Sequence, residues 1–211
     1  MDIDFVKMHG AGNDFIFIDD LSNDIDLTQD QVARLCDRHF GIGADGLMLV
    51  RPSKHSECVA YMDYFNSDGT RAEMCGNGVR CFAKYLVDRG FVSVDEKRFI
   101  ADTPAGMRPI TFEVDEDEKL TSASVDMGSP IFDPQKVPTT LSANSMTPDQ
   151  QPYVKESSIE NPWYDFKFTC ISMGNPHAVC FIDDFSLLPG SVFVSDEKSL
   201  ETFDIPTVGS F

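Results

Sequence analysis

An α+β fold rich in short strands is what this sequence predicts, and three observations predict it. Nine runs of β-branched and aromatic residues are bounded by Gly, Asn, Asp or Pro, the residues that end strands. Only two segments carry the apolar stripe of a helix. Strand and helix do not alternate, so a βαβ repeat is not the organising unit.

In chain order, residues 3–8 and 14–19 read as strands separated by Gly10-Ala11-Gly12. That Gly-x-Gly is no dinucleotide loop, because such a loop opens a helix, whereas Phe15-Ile16-Phe17-Ile18 continues as strand. Thr28 followed by Gln31 is a capping box. Val32, Leu35, Cys36, His39 and Phe40 extend the helical stripe until Gly41 ends it. Gly41-Ile42-Gly43-Ala44-Asp45-Gly46 is a second tight turn, leading into strands at 47–50 and 59–65. The second helix covers residues 77–89, with Val79, Phe82, Ala83, Leu86 and Val87 on one buried face and Gly90 as its stop. Strands follow at 99–102, 107–114 and 120–127. The acidic turn Asp115-Glu116-Asp117-Glu118 divides the chain into lobes of residues 1–117 and 118–211. Residues 130–163 contain six prolines and little periodicity, an irregular connection within the second lobe. Strands at 166–173 and 178–182 follow it, and no second helix resembling residues 77–89 appears.

Composition narrows the function classes. The chain has 211 residues, 42% hydrophobic and 25% charged, as ordinary globular proteins have. With 17 basic against 35 acidic residues its net charge is −18, which disfavours nucleic acid and anionic membrane as partners. Met1-Asp2-Ile3-Asp4-Phe5 lacks the basic and apolar parts of a signal peptide, and no apolar run approaches the roughly 18 residues of a membrane span. A cytoplasmic location with reduced thiols is expected for the six cysteines (36, 58, 75, 81, 170 and 180). None of them has C-x-x-C spacing, so no structural metal site is expected.

The chemistry concentrates at Phe65-Asn66-Ser67-Asp68-Gly69 and Cys75-Gly76-Asn77-Gly78. Cys75 stands where the second helix begins, and the positive end of the macrodipole biases a thiol there toward thiolate. Gly76 and Gly78 let a ligand approach the backbone. The N–H groups of the first turn form a seat for a carboxylate. A base beside a carbon, with donors on the adjoining carboxylate, suits removal of an α-proton. Cys81, six residues on, cannot share the face of Cys75 and reads as structural. Asn13 is the ligand-facing residue of the first turn. Ser172-Met173-Gly174-Asn175-Pro176-His177, a tight connection between two strands, adds Asn175 and His177 as polar candidates.

Taken together, Lys7 to Phe15, Phe65 to Gly69 with Cys75 to Cys81, and Gly174-Asn175-Pro176-His177 closely resemble diaminopimelate epimerase, in order and rough spacing. The resemblance implies two pseudo-equivalent lobes, each a β-barrel-like sheet wrapped around a central helix, with the active site between them. It implies interconversion of LL- and meso-diaminopimelate in lysine biosynthesis, without pyridoxal phosphate, metal or other cofactor. One cysteine takes the α-proton and a second returns a proton to the opposite face. Cys75 matches the first. Asn13, Asn66, Gly76, Asn77 and Asn175 match substrate-binding positions, and His177 a supporting polar residue near the reacting centre. A small-molecule amino acid is the expected partner, and a homodimer a possible assembly. Gly46 stands where some relatives carry a substrate-contacting glutamine. The relatives' second Cys-Gly-x-Gly helix start finds no counterpart in residues 178–211, so the second lobe is expected to be incomplete and Cys75 to lack its partner. Alternatives are a racemase of the proline racemase type, a Cys–His–Asn hydrolase using Cys75, His177 and Asn175, and a binding module without turnover.

Overall fold

The computed structural model describes residues 3–159 and 166–182. The chain forms two compact units, Met1–Met127 and Gly128–Phe211, and the fold is α+β.

In the first unit, β1 (Val6–Gly10) and β2 (Asn13–Asp19) form an antiparallel hairpin whose register pairs Gly10 with Asn13. The two linking residues, Ala11 and Gly12, both have positive φ (54° and 90°), as the primed turns of two-residue hairpins require. The chain then passes through α1 (Gln29–Cys36) into β3 (Gly46–Arg51), which pairs with β2 in parallel, and β4 (Tyr61–Asn66) closes the sheet antiparallel to β3. A single parallel crossover therefore sits inside a mainly antiparallel unit. Because α1 covers one face and α2 (Gly76–Asp88) the other, β2 and β3 are buried on both sides. This explains the unbroken apolar runs Phe15-Ile16-Phe17-Ile18 and Leu47-Met48-Leu49-Val50.

A second antiparallel sheet of β5 (Arg98–Ala101), β6 (Arg108–Val114) and β7 (Leu120–Val125) packs on the other side of α2. The sheets are joined where Met62 N–H donates to the Asp102 carbonyl (2.8 Å) and Asp102 N–H to that of Ala60 (3.0 Å). One core cluster thus unites Phe15, Phe17 and Met48 with Val79, Phe82 and Leu86 of α2, and with Ile110 and Phe112. Enclosure from both sides widens the buried face of α2 beyond the predicted stripe, taking in Cys81 and Tyr85. This is the expected strand layer wrapped around a central helix.

Three details depart from expectation. Helix α1 stops at Cys36 because the Asp37 carboxylate accepts the N–H groups of His39 and Phe40 (both 2.7 Å), diverting them from the helical ladder. Phe40 consequently lies outside the helix, 78% exposed. The acidic turn at 115–118 is the hairpin turn between β6 and β7, so it does not separate two folding units; β7 is a strand of the first unit, and the division falls after Met127. Within the predicted irregular stretch lie three short strands, β8 (Ser145–Met146), β9 (Pro152–Tyr153) and β10 (Ser157–Ile159).

In the second unit, β10 pairs with β11 (Phe166–Ser172), which pairs with β12 (Pro176–Val179), both antiparallel. Val137, Val154 and Cys170 form its core. Its described residues contain no α-helix. Residues 183–211, part of the predicted second lobe, lie outside the described residues. Among the described residues no helix is long and apolar enough to cross a membrane.

Candidate active site

Cys75 is the N-cap of α2, with extended backbone (φ −143°, ψ 116°), and its sulfur accepts the N–H of Gly78 at 3.4 Å. Ser, Thr, Asp or Asn normally hold that position; here a half-buried thiol does. Gly76 and Asn77 follow at the first two helical positions, where a helix supplies no acceptor for their N–H groups. Gly76 is exposed, and a Cβ there would meet nothing within 4 Å. Gly78 is different, since a Cβ would lie 2.4 Å from the Met48 methyl. Its absence lets the helix start approach β3, so Gly78 serves packing and only Gly76 leaves open backbone. Asn77 is half-buried and its carboxamide oxygen accepts from Arg80.

The β1–β2 hairpin abuts this helix start, for a Cβ on Gly10 would sit 3.1 Å from the Asn77 carbonyl. Asn13, the first residue of β2, is thereby brought to Cys75, whose S–H donates to Asn13 Oδ1 at 3.4 Å. Asn13 Nδ2 in turn donates to Asp45 Oδ2 at 2.7 Å. Asp45 and Asp14 immediately precede the parallel β2–β3 pairing and bond reciprocally, each main-chain N–H donating to the other's carboxylate at 3.1 Å. Arg38 donates to both carboxylates, with Nη2 at 2.7 Å from Asp14 Oδ1 and 2.8 Å from Asp45 Oδ1. Lys7 Nζ lies 3.0 Å from Asp14. Arg38 first, with Lys7, holds the Asp14 carboxyl far below the usual carboxylate range against the opposing effect of burial.

Behind the sulfur stands Tyr64 of β4. Burial first, and the neighbouring Cys75 second, push its phenol well above the usual tyrosine range. At the end of β4, Asn66 Nδ2 donates to Thr70 Oγ1 (3.1 Å) across the tight turn that carries Gly69. The thiols of Cys81 on α2 and Cys36 on α1, which pack on opposite faces of the β2–β3 layer, are structural. Cys81 and Cys36 are buried, and burial raises each to about 11.

Asn13, Asn66, Cys75, Gly76 and Asn77 thus share the first unit, while Asn175 and His177 belong to the second. There, Asn175 precedes β12 and His177 lies within it, opposite Ile171. His177 Nδ1 is 2.9 Å from the Asn175 carbonyl. A carbonyl only accepts, so Nδ1 carries the proton, and in the tautomer this selects Nε2 is the ring's acceptor. Cys170 is buried, with its sulfur against Thr139 Oγ1 at 3.8 Å.

Sequence reasoning missed Asp45, Arg38 and Asp14 as parts of this site. Asp45 lies in the glycine turn recognised before β3, but nothing local marks it as the partner of Asn13. At Gly46 a Cβ would lie 2.6 Å from the Phe65 carbonyl and 2.8 Å from the Tyr64 ring, so no side chain enters the site there without moving β3 from β4.

Residues 5–132, more than half of the chain, match the family model described as Diaminopimelate epimerase. The chain belongs to the diaminopimelate epimerase family. The diaminopimelate epimerase of Acetivibrio thermocellus is 39% identical over 185 residues, which cover 88% of this chain and 61% of that protein. That of Leptospira biflexa is 40% identical over 189 residues, covering 90% and 64%. The chain therefore spans less than two thirds of the length of these curated relatives. Among solved structures, a probable proline racemase from Agrobacterium radiobacter K84 superposes with a TM-score of 0.59 at 14% identity, over 84% of this chain and 51% of its own. At that identity the likeness is one of fold. This chain and that racemase thus share a fold over the matched part, and membership of the family rests on the sequence matches.

Proposed function

We propose that this chain belongs to an enzyme that epimerises diaminopimelate without a cofactor, with Cys75 as one of its two proton-transfer groups. The observation that carries the reading is the placement of a half-buried thiol at the N-cap of α2, bonded to the Gly78 N–H and to Asn13.

In the reaction, Cys75 as thiolate takes the α-proton, and the electron pair of the broken C–H bond moves into the adjoining carboxylate. The N–H groups of Gly76 and Asn77 at the open helix start meet the charge that develops there. A second acid returns a proton to the opposite face and inverts the centre. In the other direction Cys75, now a thiol, donates. Asn13, Asn66 and Asn175 supply polar contacts for the substrate's amino and carboxylate groups, and His177 Nε2 an acceptor. Buried Cys170 is unsuited to be the second thiol. The proposed substrate is a small amino acid, and the proposed setting is lysine biosynthesis in the cytoplasm.

The test is exchange in D2O. The native protein is expected to place deuterium on the α-carbon of diaminopimelate, and Cys75→Ala to lower that rate at least a hundredfold, the lower range for loss of a positioned acid–base group. Undiminished exchange by the variant would remove Cys75 from the mechanism. Exchange on proline with none on diaminopimelate would move the enzyme to the racemase class.

A further inference from the structure

The amide of Asn13 lies between two groups with opposite demands. On one side is the Asp45 carboxylate at 2.7 Å. An ionised carboxylate has no proton to give, so the end of the amide facing it is the NH2. The carbonyl oxygen Oδ1 is then obliged to face the Cys75 sulfur, at 3.4 Å. Rotating the amide by half a turn would set two oxygens against each other at Asp45 and present an N–H donor to the sulfur. Asp45 itself has little freedom to yield. Its Oδ1 receives Arg38, its Oδ2 also receives the Asp14 N–H, and its own N–H is bonded to Asp14.

We propose that Asp45 is a positioning residue that fixes which end of the Asn13 amide faces Cys75, and thereby holds the proton on the resting thiol. This rests on the reading of Cys75 as a proton-transfer group. An acceptor stabilises S–H, whereas a donor stabilises S⁻. The orientation of one amide, set from 32 residues away in the chain, decides which of the two the sulfur meets from this side. The Gly78 N–H, a donor, approaches from the other. Cys75 is therefore held between one acceptor and one donor, an arrangement suited to a group that gives a proton in one direction of the reaction and takes it in the other. The ionisable groups facing the sulfur are Tyr64 on β4 and Cys81 on α2, with Arg80 beside Cys81; Asp45, ahead of β3, reaches the sulfur through Asn13, and Asp14, Arg38 and Lys7 continue the network from Asp45.

The experiment is the pH dependence of Cys75 alkylation by iodoacetamide in the native protein, followed on the Cys75 peptide by mass spectrometry. In Asp45→Ala the Asn13 amide is free to turn its N–H to the sulfur. The midpoint of the alkylation profile is expected to move down by about one pH unit, a tenfold gain in reactive form on the rising limb. In an Asn13→Ala background the same Asp45 substitution is expected to produce no further movement, since the messenger is gone. Should the alanine variant not fold, Asp45→Asn serves. Its single accepting oxygen cannot satisfy donors on both sides, and the midpoint moves in the same direction. An unmoved midpoint overturns the proposal. So does an equal shift in both backgrounds, which would make Asp45 a charge acting through space. The readout needs no turnover. Failure of deuterium exchange in the native protein with a moved midpoint would remove the proposed function and leave only the control of the Cys75 proton by Asp45 and Asn13, and normal exchange with an unmoved midpoint would keep the function and overturn that control.

Discussion

Replacing Arg38 by alanine tests the electrostatic frame on which the site is built. The guanidinium gives two parallel bonds to Asp14, Nη1 to Oδ2 at 3.1 Å and Nη2 to Oδ1 at 2.7 Å, and a third to Asp45 at 2.8 Å. Shielded bonds to charged groups contribute about 1.5–3 kcal/mol each. The Arg38 side chain, however, is 52% exposed, although that of Asp14 is only 15% exposed. Solvent screening takes each ion pair toward the surface value of below about 1 kcal/mol. For the two pairs together, a loss of about 1–2 kcal/mol is expected near neutral pH. The pH dependence carries the sharper test. The folded-state pKa of Asp14 is lowered, chiefly by Arg38. Its contribution is therefore fully present above the unfolded value of about 3.9, and is lost as pH falls through the folded value in strong acid. Urea unfolding across pH should show a gap between native protein and variant that is flat above about pH 5, narrows below about pH 4 and closes only in strong acid. A gap of the same size at about pH 2 as at neutrality would refute the assignment to Asp14. No gap near neutrality would refute the network as a source of stability.

Two further substitutions address packing. Gly69 has φ of +79°, and a Cβ there would lie 2.1 Å from the Gln29 carbonyl. Left-handed backbone in a non-glycine residue and a clash with main chain both count against Gly69→Ala, which is expected to lose about 3 kcal/mol in thermal or urea unfolding; unchanged stability would mean that the turn does not press on α1. Arg51 stands between the buried carboxylates of Asp20 (2.9 Å) and Asp63 (3.1 Å). Arg51→Met leaves Asp20 without its cation and Asp63 with Arg71 alone, and is expected to lower stability by about 3–5 kcal/mol, measured in the same way.

What could be read from the sequence was what is local in it. The stripe of α2, the glycine beyond its end, the capping box of α1 and the cysteine opening a glycine-rich turn all lie within one or two helical turns, and each stands where it was expected. The end of α1 was not legible from periodicity, because His39 and Phe40 keep the helical spacing while Asp37 takes their N–H groups. The acidic run at 115–118 resembled a boundary because exposed hairpin turns and interdomain linkers share the same composition. The Asp45–Asn13–Cys75 chain escaped for a different reason. It depends on the parallel register that sets Phe15 opposite Gly46, and register between strands separated by a helix leaves no local trace. The roles of Gly76 and Gly78 also looked alike, until Met48 was found beneath one and open space above the other.

Because the sulfur of Cys75 caps the helix around which the whole first unit is built, oxidative injury here has an unusual outcome. Conversion to the sulfinic acid is irreversible for most thiols and ends any proton transfer by this atom. Yet it places negatively charged oxygens, strong acceptors, at the one point where α2 has N–H groups and a positive dipole to offer. An oxidised molecule would lose the proton transfer proposed for Cys75 but be no looser at its helix start. Cellular surveillance that removes proteins by sampling their unfolded forms would have no reason to clear it.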